Sequence, residues 1–170
     1  MNLNKNIVLI GMMGAGKSTI GYLLSKSTNL NYVDIDKLIE KEAELKIYNI
    51  FEKKGEKYFR NLEEKITLKS LKSKKNIISL GGGGFINKNI RKEVLNNNIS
   101  FWLNWKNSTI IQRILKSKKR PLTINSSESD LKKLINDRSK IYSEANFKIN
   151  CENLTKNMIT KRIIETYEKD

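Results

Sequence analysis

Gly11-Met-Met-Gly-Ala-Gly16-Lys17-Ser18 has the spacing G-x-x-x-x-G-K-[ST] of a phosphate-binding loop. Its glycines let successive backbone N–H groups turn toward phosphate oxygens, and a following helix adds the positive end of its dipole. Lys17 can then neutralise β- and γ-phosphates, and Ser18 can ligate Mg²⁺. Gly14, Ala15, Gly16, Lys17, Ser18 and Thr19 therefore form a candidate ATP site. Asp34 and Asp36 stand two residues apart, so in extended chain both carboxylates point the same way. One would face the metal's water shell and the other a substrate hydroxyl; the alternative is a helix cap at Asp36 with Asp34 exposed. Gly81 to Gly84 is a run where a ligand could approach the backbone closely, or a tight turn. Arg60 has Glu63 three positions on, within reach of an orienting ion pair. Arg113, Arg120 and Arg138 fall in later segments suited to surrounding phosphate and an anionic substrate, whereas Arg91 and Arg162 read as ordinary helix-surface residues.

Composition removes several other chemistries. The sequence has no histidine, so any general base must be a carboxylate, lysine or tyrosine, and His-ligated zinc is excluded. A single cysteine, Cys151, excludes an intrachain disulfide and reads as a small, half-buried apolar residue. The formal charge of +15 would ordinarily suggest nucleic acid. Only 6 of the 33 basic residues are arginine, however, and the chain also carries 23 Ile and 21 Asn, the joint excess expected of A- and T-rich codons. The lysines are scattered, without the glycine and aromatic interleaving of RNA-binding sheets, so no specific nucleic-acid partner is expected. No apolar run approaches the length of a bilayer span. The stretch Ile7 to Met13 is too short for a secretory signal, which leads to the expectation of a cytoplasmic protein without a membrane partner.

The elements that must position these residues follow from periodicity. Short apolar runs at Lys5–Ile10, Asn31–Ile35, Asn76–Leu80, Ser100–Leu103 and Phe147–Asn150 read as strands. Helical periods fill Ser18–Leu30, Asp36–Lys46, Tyr48–Leu71 with Gly55 as punctuation, Lys88–Leu95, Ser108–Leu115, Leu131–Ser143 and Leu154–Tyr167. The alternation implies a wound parallel sheet, in which the phosphate loop, the aspartates and the glycine run all reach the carboxyl edge where ligands bind. Lys116 to Asp130 is polar, holds the only proline, Pro121, and reads as a mobile loop. At 170 residues a single domain, 1–170, accounts for the whole sequence.

On these motifs the sequence resembles the shikimate kinase family along essentially its whole length. The matching pieces are GMMGAGKST at Gly11–Thr19, Asp34-x-Asp36, Phe51-x-x-x-Gly55-Glu56-x-x-Phe59-Arg60-x-x-Glu63, Leu80-Gly81-Gly82-Gly83, Arg120-Pro121-Leu122 and Arg138-x-x-x-Tyr142-x-x-Ala145. The resemblance implies an α/β fold of three layers, α/β/α, with a five-stranded parallel sheet, a substrate-binding helical segment at about 36–71 and a lid at about 116–130. It implies ATP-dependent phosphorylation of shikimate by a monomer, with Mg²⁺ held by Ser18 and, through water, Asp34. Asp36 would meet the reacting hydroxyl. Arg60, Gly82, Gly83 and Arg138 would hold shikimate, Arg113 would lie near adenine, and Arg120 would close on ATP with the lid. Three positions depart from the family pattern: Glu44 replaces a helix-ending glycine, Thr123 replaces a leucine after the lid's Arg-Pro-Leu, and Ile149-Asn150-Cys151 replaces the start of the adenine loop. The first of these predicts an altered turn before Ile47.

Overall fold

The computed structural model describes residues 5–116 and 127–169. Among them five strands form one parallel sheet: β1 (Ile7–Ile10), β2 (Asn31–Asp34), β3 (Asn76–Ser79), β4 (Ile99–Asn104) and β5 (Phe147–Asn150), in the order β2-β3-β1-β4-β5. All four residues of β1 and of β3 are buried, as expected for strands covered on both faces, whereas the edge strands β2 and β5 are only partly covered. Seven helices occupy the described residues: α1 (Lys17–Thr28), α2 (Ile35–Ala43), α3 (Ile47–Leu71), α4 (Lys88–Asn97), α5 (Asn107–Lys116), α6 (Glu128–Tyr142) and α7 (Lys156–Tyr167). α1 packs against α7, and α3 against α4. Right-handed crossovers running in opposite directions across the sheet, from β1 to β2 through α1 and from β2 to β3 and β3 to β4 through α3 and α4, put these two pairs on opposite faces, giving three layers.

Strand order decides where a ligand can sit. The chain leaves β1 toward β2 and leaves β3 toward β4, so the crevice between these paired strands opens at their carboxyl ends. The phosphate loop follows β1 and the glycine run follows β3. Asp34 at the end of β2 is in register with Ser79 on β3, and Ser79 with Leu9 on β1, so three special segments emerge at one level.

Local chemistry moves several element boundaries. α2 starts at Ile35, one residue before the expected position, because Asp34 caps it by accepting the Lys37 N–H at 3.3 Å. The expected extended Asp34–Asp36 pair is therefore corrected: Asp34 is the cap, and Asp36 lies in the first helical turn. Before Ile47 the chain turns through Glu44. Glu44 adopts φ 53°, the Leu45 N–H donates to Glu40 O at 3.2 Å, and the helix ends in the left-handed turn that glycine would make without strain. α3 carries the break expected at Gly55, φ 79° and ψ 167°. α6 begins at Glu128 rather than Leu131, since Ser127 and Asp130 cap each other reciprocally. Residues 127–130 thus belong to a cap and a helix instead of the expected loop; the rest of that loop, with Arg120, Pro121, Leu122 and Thr123, lies outside the described residues. No helix among the described residues is long and apolar enough to cross a membrane.

Candidate active site

The phosphate loop bends from β1 into α1 through three glycines with positive φ: Gly11 at 145°, Gly14 at 80° and Gly16 at 88°. Lys17 opens α1 and is 9% exposed, with Nζ donating to Gly11 O at 2.8 Å and Met12 O at 3.0 Å. Ser18 and Thr19 are exposed beside it. Ser18 Oγ donates to Asp34 Oδ2 at 2.9 Å. Two hard oxygen donors at the mouth of a phosphate loop suit Mg²⁺, which takes one or two protein oxygens and completes its shell with water and phosphate. Among the described residues no group of three or more His, Cys, Asp or Glu could hold a metal ion by itself, so such an ion would depend on the nucleotide's oxygens.

Asp34 has a further support that its sequence motif did not announce. Tyr32 Oη donates to Asp34 Oδ2 at 3.0 Å and lies 3.2 Å from Ser79 Oγ, while Ser79 Oγ donates to Lys17 O at 3.2 Å. A Cβ at Gly21 would lie 2.3 Å from the Tyr32 ring, so a glycine on α1 admits the phenol. Burial pushes the Tyr32 hydroxyl up to about 12, which keeps its proton on the oxygen.

Asp36 faces the glycine run rather than Ser18. A Cβ on Gly81 would lie 2.7 Å from both Asp36 Oδ1 and Glu63 Oε1, so two carboxylates converge on one backbone position. Glu63 is 2% exposed, and its Oε2 accepts from Arg60 Nη1 at 2.6 Å. Its Oε1 is buried without a hydrogen-bond partner among the described residues. Burial raises the Glu63 carboxyl above its usual range, Arg60 opposes that shift, and the nearby Asp36 adds to it. Arg60 also bonds Glu56 at 3.2 Å. The orienting pair expected between Arg60 and Glu63 is thus present and extends to a fork of two carboxylates.

Gly82 and Gly83 sit between the arginines. Arg138 Nη1 donates to Gly82 O at 3.1 Å, and the buried Tyr142 hydroxyl donates to the same carbonyl. A Cβ at Gly82 would lie 3.1 Å from Met13 N, and one at Gly83 only 2.6 Å from Arg60 Nη1. Glycine is needed there because backbone, phosphate loop and guanidinium meet. The structure therefore gathers Asp36, Arg60, Gly82, Gly83 and Arg138 on one side of the crevice, and Lys17, Ser18 and Asp34 on the other. Arg113 lies beyond the loop, its Nη1 donating to Gly14 O at 3.1 Å. Arg120 lies outside the described residues.

Two further residues have roles that sequence reading missed. Arg91, expected on an open helix surface, has a side chain only 17% exposed; it donates to Phe85 O and Ile86 O at 3.1 Å and pairs with Glu144 at 3.0 Å. It braces the 3₁₀ turn after the glycine run (Gly84–Ile86) to the chain just beyond α6. Trp105 donates its indole N–H to Ala15 O at 3.0 Å. Arg162, by contrast, is exposed as expected. Cys151 is fully buried rather than half-buried, its thiol pushed up to about 12 by burial. After the departure at Ile149-Asn150-Cys151, Glu152 ties the loop beyond β5 to the start of α5, accepting from Lys106 N at 3.2 Å and Thr109 Oγ1 at 2.9 Å.

Comparison with known proteins gives a consistent set of likenesses. A family model described as shikimate kinase matches residues 13–168. A shikimate kinase of Sulfurihydrogenibium sp. (strain YO3AOP1) is 39% identical over 160 residues, covering 94% of this chain and 96% of that protein. That of Bacillus subtilis (strain 168) is 39% identical over 168 residues, covering 95% and 88%. Among solved structures, shikimate kinase from Acinetobacter baumannii in complex with shikimate superposes with a TM-score of 0.91 at 29% identity, covering 97% of this chain and 93% of that one. A deoxyadenosine kinase from M. mycoides shares the fold, with a TM-score of 0.64 at 20% identity.

Proposed function

The chain belongs to the shikimate kinase family and catalyses ATP-dependent phosphorylation of shikimate in the shikimate pathway, and on that premise we propose how its own residues divide the work. The observation that carries the division is the separation of the two aspartates, Asp34 toward Ser18 and Asp36 toward the glycine run.

On the nucleotide side, backbone N–H groups of Gly14 and of Gly16 to Thr19 would receive the phosphates, with the Ala15 N–H held by Met12 O. Lys17 would exchange the loop carbonyls it now bonds for β- and γ-phosphate oxygens. Ser18 would ligate Mg²⁺ directly and Asp34 through water. When bound, the ion neutralises charge that develops on the phosphoryl oxygens. Arg113 would lie against the base, and Arg120 would reach the phosphates from the segment that follows α5.

On the acceptor side, the guanidiniums of Arg60 and Arg138 would hold the shikimate carboxylate by charge-assisted hydrogen bonds. The backbone at Gly82 and Gly83 and the unpartnered Glu63 Oε1 would take its ring hydroxyls. Asp36 would orient the attacking hydroxyl and accept its proton. Because phosphoryl transfer passes through a loose transition state, placing the oxygen in line matters more than the strength of the base. With these groups supplied by one chain, we propose a monomer acting in the cytoplasm as a single domain.

ADP release tests the assignment, measured with ATP and Mg²⁺ against shikimate, quinate, gluconate and nucleoside monophosphates. Shikimate should stimulate release far above the others; a larger kcat/KM with gluconate or a nucleotide would overturn the acceptor side. Arg60→Ala and Arg138→Ala should each lower kcat/KM for shikimate by about 10- to 100-fold, and lysine should restore only part.

A further inference from the structure

We propose that Trp105 is a positioning residue for the nucleotide, holding the phosphate-binding loop and the Arg113 guanidinium together as one stacked unit. The inference deepens the assignment of Arg113 to the nucleotide side and rests on it. β4 pairs with β1 through Ile10 and Trp102, so the residues just past β4 come beside the loop just past β1. Trp105 stands there, half-buried, three residues after the buried Trp102.

Three contacts close a ring around the loop. The indole N–H donates to Ala15 O at 3.0 Å. The Arg113 guanidinium lies over the indole face, its Cζ 3.9 Å from the ring centroid. Arg113 Nη1 donates to Gly14 O at 3.1 Å. The fit is close at the loop as well, since a Cβ at Gly14 would lie 3.3 Å from Arg113 Cβ.

A trans peptide group is planar, with its C=O and N–H on opposite sides. Holding the Ala15 carbonyl on the indole therefore directs the Gly16 N–H the other way. The preceding peptide is fixed at both ends: its carbonyl, on Gly14, receives Arg113, and its N–H, on Ala15, donates to Met12 O at 3.1 Å. Two successive peptide planes are thus set from outside the loop, by one aromatic–cation pair, before any phosphate arrives. A loop whose donors are already arranged loses less freedom when the anion binds. The ring also limits the rotamers of Arg113, since a guanidinium lying flat on an indole gains cation–π attraction that other orientations forfeit.

The test uses Trp105→Ala, Trp105→Phe, Arg113→Ala and the Trp105→Ala/Arg113→Ala double variant. Each is titrated with ADP by calorimetry at fixed Mg²⁺ and assayed for the KM of ATP and of shikimate. Trp105→Ala should weaken ADP binding by about 10- to 50-fold and raise the ATP KM in parallel, with the shikimate KM within about twofold of wild type. Trp105→Phe keeps a ring under Arg113 without the N–H and should recover part of that loss. The double variant should be little worse than the poorer single one, because residues acting as a unit are not additive. ADP affinity unchanged in Trp105→Ala but weakened in Arg113→Ala would overturn this inference and leave the Arg113 assignment standing. Wild-type affinity in both single variants would overturn both. Strictly additive losses, or equal losses for ADP and shikimate with a lowered Tm, would overturn the stacked unit.

Discussion

Replacing Gly83 with alanine separates the positioning of Arg60 from the stability of the fold. The added Cβ would lie 2.6 Å from Arg60 Nη1 and 3.1 Å from both Cζ and Nη2, so the guanidinium must withdraw by about 0.8 Å to reach ordinary contact at 3.4 Å. The three nearest atoms all belong to the end of a flexible side chain, which can move, so the fold should lose less than about 1 kcal/mol. The guanidinium is nevertheless held by Glu63 at 2.6 Å and Glu56 at 3.2 Å, and withdrawal must lengthen one of these bonds or turn the fork from the glycine run. A charge-assisted hydrogen bond is worth about 1.5 to 3 kcal/mol, which predicts a fall of about 10- to 100-fold in kcat/KM for shikimate. Steady-state assays at saturating ATP, with calorimetric Tm on the same samples, check this. Wild-type kcat/KM for shikimate in Gly83→Ala would refute the argument that Arg60 works at this spot, and so would an equal rise in the KM of ATP, since the perturbation is remote from the phosphate loop.

Glu44→Gly should raise Tm, because the left-handed backbone at φ 53° costs a side-chain residue about 1 kcal/mol that glycine does not incur; an unchanged or lowered Tm by calorimetry would remove strain as a feature of this turn. Tyr32→Phe should raise the Mg²⁺ concentration needed for half-maximal ADP binding by about two- to fivefold, since Asp34 Oδ2 loses one of its two hydroxyl donors; identical Mg²⁺ titrations in wild type and variant would refute it. Burial holds the Tyr32 and Tyr142 phenols at about 12 against the usual 10.0, so above pH 10 the unfolded chain releases protons that the folded chain retains. Stability is therefore unaffected by them below pH 10 and falls as pH rises from about 10 to 12. Urea midpoints measured across that window should fall less steeply in Tyr32→Phe than in wild type.

The features legible in the sequence are those written in local residue types. Short apolar runs marked all five strands, the break at Gly55 was visible from the glycine itself, and the phosphate loop was visible from its spacing. Less legible was whatever one residue of register decides. A carboxylate at either Asp34 or Asp36 could have capped α2, and only the structure shows that Asp34 does so, which turns one side chain toward Ser18 and the other toward the glycine run instead of placing both on one face. The cap formed by Ser127 and Asp130 lay hidden inside a polar stretch whose composition also suits a loop. Arg91 was misread because an arginine on a helix is ordinarily solvated, and its acceptors, Phe85 O and Ile86 O, are backbone carbonyls that carry no sequence signal. Trp105 was invisible for a deeper reason: its contact with Ala15 depends on β4 lying beside β1, a fact of strand order.

Strand order also explains why the two halves of the site can be tuned separately. β1 and β3 are neighbours whose chains depart in opposite directions, so the loop after β1 is braced from the β4 side, by Trp105 and Arg113, while the run after β3 and the turn that follows it are braced from α4 and α6, by Arg91 and Arg138. The braces meet where Gly82 approaches Met13 N and where the Tyr142 hydroxyl reaches both Gly82 O and Met12 Sδ, at 3.7 Å from the sulfur. A substitution within one set of braces should therefore shift the KM of one substrate. Among the described residues, a change at Met12, Met13, Gly82 or Tyr142 has the contacts to shift both together.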